Sequence, residues 1–239
     1  MYYYLLINIF TLAGPLAFSF DKHIKFYRNI PAVLFSYIVV SIPFIIWDAI
    51  ATERGHWHFN PDYIIGFKIF GLPIEEILFF ITVPYACLFT YEAIVYYLGD
   101  KKLRVPSWPF LILAALCILG ALLFIDQEYT FIDLFVFAFF LITAVVFKKW
   151  IINSKAYWIY LLVTIGFFII VNYLLTSIPI VQYGSDMIWG SQDPWNYRFI
   201  TIPFEDFFYN VSMLGFYLVS YIYYYKKYLM QKSPGSLSR

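Results

Sequence analysis

Leu72-Pro73-Ile74-Glu75-Glu76-Ile77-Leu78-Phe79-Phe80 and Ile202-Pro203-Phe204-Glu205-Asp206-Phe207-Phe208-Tyr209-Asn210 decide how this chain is read. Each sets a proline, one apolar residue and two adjacent carboxylates directly ahead of a long apolar run. Ionisable groups at the mouth of hydrocarbon-length sequence are costly, and they usually serve a function. An ordinary helix start would account for one such stretch, because proline suits the first helical position and acids suit the positive end of the dipole. Two copies at equivalent places in the two halves ask for more.

Working outward, the sequence is that of a membrane protein. It is 62% hydrophobic and 13% charged over 239 residues, where a soluble domain carries nearly twice that charged fraction. Apolar runs of spanning length fall at about 2–20, 30–51, 73–98, 107–125, 130–149, 156–177 and 203–225. Basic residues cluster after alternate runs: Lys22, Lys25 and Arg28; Lys101, Lys102 and Arg104; Lys148, Lys149 and Lys155; Lys226, Lys227, Lys232 and Arg239. Seven crossings put all four clusters on one face, which the positive-inside rule makes cytoplasmic. The N-terminus is then outside, the C-terminus inside, and the first run an uncleaved helix. Asp186 and Asp193 join most of the other acids on the opposite face. A cell-membrane location follows.

The expected fold is an all-α bundle of seven transmembrane helices. It comprises a three-helix unit (residues 1–98), a linker helix (99–129), a second parallel three-helix unit (130–228) and a cytoplasmic tail (229–239). Parallel repeats tend to share a site at their interface. Both proline–carboxylate stretches then open helices at the non-cytoplasmic face.

Glu75, Glu76, Glu205 and Asp206 are the catalytic candidates, with Asp48 at the end of the second helix as a fifth. Its place in the second unit falls nearest Asn172. Successive helical residues point about 100° apart, so within each pair one acid faces a cavity while the other orients it or bonds a neighbour. Trp47, Phe79, Phe80, Phe207, Phe208 and Tyr209 are the candidate substrate-binding aromatics, able to stabilise a cation by cation–π attraction. His56 and His58 read as solvated loop histidines rather than metal ligands, Glu92 as structural, and Cys87 and Cys117 as packing residues. No metal or cofactor is expected: there is no G-x-G and no P-loop, and no lysine within the seventh run to carry retinal. The net charge of +1 offers nothing to nucleic acid.

Trp47-Asp48-Ala49-Ile50-Ala51-Thr52, Gly55-His56-Trp57-His58-Phe59 and Gly71 through Phe80 resemble the first copy of the lycopene cyclase domain family. This is the small integral-membrane type, found as heterodimers in some actinobacteria and fused in archaea, other bacteria and fungi. Pro203 through Asn210 resembles the second copy. The resemblance implies a flavin-free lycopene β-cyclase that closes the ends of lycopene into β-ionone rings, through γ-carotene to β-carotene, without net redox change. It implies acid–base roles for Glu75, Glu76, Glu205 and Asp206, with Asp48 beside them. The partners are a linear carotenoid, the lipid bilayer and other membrane enzymes of the carotenoid pathway. From the residues alone, a proton-coupled transporter or carrier of a lipophile, a structural subunit, or a cyclase of another carotenoid stay open.

Overall fold

The computed structural model describes residues 2–184, 188 and 198–229; Asp186, Asp193 and the basic tail from residue 230 lie outside them. Among the described residues seven helices follow in order: α1 (Tyr3–Phe18), α2 (Phe26–Glu53), α3 (Ile74–Leu98), α4 (Trp108–Leu123), α5 (Glu128–Val146), α6 (Lys155–Ser177) and α7 (Glu205–Tyr224). Of these, α2, α3, α5 and α6 are long and apolar enough to cross a bilayer singly, and α1 and α4 are shorter apolar helices. Large apolar side chains such as Phe10, Leu119, Phe139 and Leu162 stand exposed around the bundle. That surface suits lipid, not water.

The helix of lowest hydropathy is the one at the centre. Helix α7 packs against α2, α3, α5 and α6, so its polar residues face protein partners. Tyr217 and Ser41 of α2 share a hydrogen bond of 2.6 Å. Tyr221 accepts from Asn29 (2.8 Å) and donates to Glu92 (2.8 Å), which gives Glu92 a structural place. A methyl added at Gly215 would run into the Phe140 ring, so glycine sets how closely α5 and α7 approach. Proline removes a backbone donor and crowds the carbonyl four residues earlier. Helix α2 absorbs Pro43 through a π turn at Tyr37–Ser41 immediately before it.

Three short antiparallel pairings position the helix ends where the carboxylate pairs begin. In one hairpin β2 (Lys68–Ile69) meets β3 (Leu72–Pro73); in another β5 (Arg198–Phe199) meets β6 (Ile202–Pro203). Their registers match position for position: Lys68 faces Pro73, and Arg198 faces Pro203. Phe70 and Gly71 both take positive φ (51° and 83°), as a two-residue type I′ turn requires. In the second hairpin Ile200 sits at φ 62°, a strained place for a β-branched residue. Each hairpin feeds its buried proline straight into a carboxylate pair. The third pairing joins the halves. After α2, β1 (Trp57–Phe59) runs antiparallel to β4 (Val181–Tyr183) after α6, with His58 opposite Gln182 at the centre.

Candidate active site

Within the first pair, Glu75 turns away from the bundle interior's open space. Its carboxyl accepts the Ile65 N–H at 2.6 Å and is fully buried, tying the connection before the hairpin to the start of α3. Glu205 does likewise in the second pair, accepting from Thr130 of α5 at 2.5 Å. Their neighbours Glu76 and Asp206 face inward and line one cavity of about 450 Å³. Asp48 lines it too. Acids from α2, α3 and α7 therefore converge at one place.

The cavity lies among α1, α3, α6 and α7, and its walls below the acids are mostly apolar, including Ile7, Val83, Val171, Met213 and Leu214. Phe10 of α1 and Phe167 and Ile170 of α6 line it and are also exposed on the outer surface. The cavity thus opens sideways between α1 and α6, toward the face that suits lipid. A greasy chain entering there meets carboxyls only at the end where the hairpins lie.

The hydrogen bonds at that end differ between the halves. Tyr4 donates to Glu76, and Trp57 Nε1 donates to Asp48 Oδ1 at 2.7 Å. The Asp48 and Glu76 carboxyls line the same cavity, within electrostatic reach of each other. Asp48 Oδ2 is buried with no bonded donor among the described residues, and the Thr52 hydroxyl stands near this carboxyl. Asp206 instead accepts three bonds: from Tyr129 (2.7 Å), from Tyr183 (2.6 Å) and from Asn172 Nδ2 (2.8 Å). Asn172 is the residue that stands where the first half has Asp48, and here it is bonded to the second half's carboxylate.

Of the candidate aromatics, Phe79 and Tyr209 line the cavity. Trp47 stands behind it, its ring against those of Trp57, Tyr129 and Tyr209. Phe80 is buried in the bundle core, Phe207 packs on Phe168 and Phe199, and Phe208 packs on Phe137. None of these three lines the cavity. His56 corrects an expectation. It is 1% exposed, not solvated, because its Nε2 lies 2.9 Å from Glu128 Oε2, an oxygen that Arg54 also reaches at 3.0 Å. His58 meets Gln182 at 2.7 Å. Among the described residues no three His, Cys, Asp or Glu side chains group as metal ligands.

Sequence reasoning did not single out Tyr4, Tyr129, Tyr183 or Trp57 as partners of the acids. Lining up the first helix of each half puts Tyr4 beside Tyr129 and would have found two of them. Asp133 was also passed over. It is fully buried in α5, within electrostatic reach of Asp206 and Glu205, and neither oxygen has a partner among the described residues.

Comparison with known proteins agrees with this picture. The chain is 35% identical over 74 residues to a bifunctional lycopene cyclase/phytoene synthase of Podospora anserina. That match spans 30% of this chain and 12% of the fungal protein. No solved structure matches. The lycopene cyclase family model matches residues 1–94 and again 126–224, one block over each half and most of the chain together. The chain belongs to the lycopene cyclase family.

Proposed function

We propose that the chain is a lycopene β-cyclase working on one end of the polyene at a time, in a single site built from both halves. The observation that carries this reading is the convergence of Asp48, Glu76 and Asp206 at the closed end of a lipid-facing apolar cavity. Its volume is that of an ordinary small-molecule site. It suits one end group of the substrate, with the remainder of the chain trailing into the bilayer. The seven helices cross the membrane, N-terminus outside, with the basic loops in the cytoplasm.

Ring closure needs one proton in and one proton out. A carboxylic acid protonates the terminal double bond, leaving a cation at the adjacent carbon. The π pair of the neighbouring double bond then forms the new ring bond and carries the charge to a ring carbon. A carboxylate removes a ring proton, and its C–H pair becomes the new double bond. Electrons balance without oxidant or reductant. Phe79 and Tyr209 offer ring faces to the travelling charge, and dry walls keep water from the cation.

Expression in a bacterium that accumulates lycopene tests this. Pigment chromatography is expected to give β-carotene, passing through γ-carotene. A product stopped at one ring would reassign the chain to a monocyclase. Unchanged lycopene with the protein correctly inserted would overturn the reading.

A further inference from the structure

We infer that the two halves do unequal work: the Asp48–Glu76 pair supplies the proton, and Asp206, held by Tyr129, Tyr183 and Asn172, takes one away. The inference rests on the cyclase reading and assigns the roles within that site.

The argument is the difference in hydrogen bonding. Two neighbouring carboxyls on one mostly apolar cavity disfavour double ionisation, since like charges repel strongly there. Asp48 Oδ2 is buried with no bonded donor among the described residues, beside the Glu76 carboxyl and the Thr52 hydroxyl. A proton between the two carboxyls satisfies both. The pair is therefore a loaded acid. Tyr4 and Trp57 each donate to one member and hold it in place.

The second half builds no such pair at the cavity: Asn172 stands in the position of Asp48 and brings an N–H where the first half has an ionisable oxygen, and the buried carboxyls near Asp206, those of Asp133 and Glu205, do not line the cavity. Three donors converge on Asp206. Donors aimed at a carboxylate stabilise its anion, and three of them still leave one of its roughly four lone-pair sites open to receive a proton. An anion lining the same cavity is placed to counter the cation and to accept the ring proton. After each closure Asp206 gives its proton up to solvent and the pair is reloaded from solvent, so the cycle consumes none. On this assignment Asn172, Tyr129 and Tyr183 are positioning residues for the base.

Reaction in D2O separates the roles. Wild-type membranes supplied with lycopene are expected to place one deuterium in each new ring. Failure of wild type to form rings would strike the cyclase reading itself, independently of the assignment. Glu76→Gln is expected to lower ring formation about 100-fold or more and to leave recovered lycopene unlabelled, because protonation never occurs. Asp206→Asn is expected to lower ring formation comparably but to return deuterium-labelled lycopene, or rings with a displaced double bond, because protonation proceeds and removal fails. The milder pair Tyr4→Phe and Tyr183→Phe guards against misfolding. Tyr4→Phe slows the reaction without altering the product, whereas Tyr183→Phe raises the displaced-double-bond fraction. Labelled lycopene from Glu76→Gln with none from Asp206→Asn would reverse the assignment. Unlabelled lycopene from both, with Tyr183→Phe changing rate alone, would show the halves to be equivalent and sink the inference.

Discussion

Glu75 and Glu76 are neighbours with one charge each, yet the fold gives them opposite tasks. The 100° between successive helical side chains sends Glu75 to the Ile65 N–H and Glu76 to the cavity. Glu75→Gln keeps an oxygen for that N–H, so ring formation in membranes is expected to stay near wild type. Glu76→Gln is expected to lose about 100-fold in the same assay. Equal losses from both would mean that the cavity-facing acid has been misassigned. The sequence made the pairs visible and the 100° rule made their division necessary. Which member faces inward depends on where each hairpin ends, and strands of two residues carry no hydrophobic period to announce them. For the same reason His56 looked like a loop residue: its partner Glu128 lies 72 positions away.

At the scale of elements, the hairpins and the basic loops at the other end of the bundle make separate predictions. Ile200 occupies φ 62° where the first hairpin places Phe70, with Gly71 following it. Ile200→Gly should relieve strain worth on the order of 1 kcal/mol and raise the thermal midpoint in detergent; a lowered midpoint would show that packing outweighs backbone there. On the opposite face, Asp100 accepts from Ser154 Oγ (2.7 Å) and the Ala156 N–H (3.3 Å) and pairs with Lys102, tying the loop after α3 to the start of α6. Partial burial works against the Asp100 carboxylate, but these donors outweigh it and hold its pKa below the ordinary value. A depressed folded pKa contributes stability that is whole above the unfolded carboxylate range, near pH 4, and lost as pH falls through the lowered value. Asp100→Asn should therefore lower the thermal midpoint at pH 7 and flatten its decline in acid, checked by midpoints measured from pH 7 to pH 3. The helices themselves were legible as apolar runs, α7 included. Hydropathy of the described helix alone understates α7, because a helix surrounded by other helices can carry tyrosines, serine and asparagine at no cost.

For the whole molecule, the sideways opening between α1 and α6 is the feature that no sequence pattern conveyed. It exists because α1 and α6 both lean on α3 while leaving a gap between themselves. Gly14 lines the cavity, and a side chain there would meet open space. Gly14→Trp is thus expected to fold normally while obstructing the entrance. KM for the polyene should rise several-fold, with little change in kcat for molecules that do enter. A fall in kcat alone would place the entrance elsewhere. The strand pair β1–β4 closes the far end of this space by stitching the connection of one half to that of the other. A cation formed beneath a broken stitch would meet water before it met a base, and capture by water makes an alcohol. His58→Pro, which removes a backbone donor at the centre of that pairing, should therefore divert part of the pigment to hydroxylated, open-chain carotenoid. Dividing the protein at its middle without letting the pieces reassociate should do the same, so the partnership of the halves serves as a raincoat as much as a catalyst.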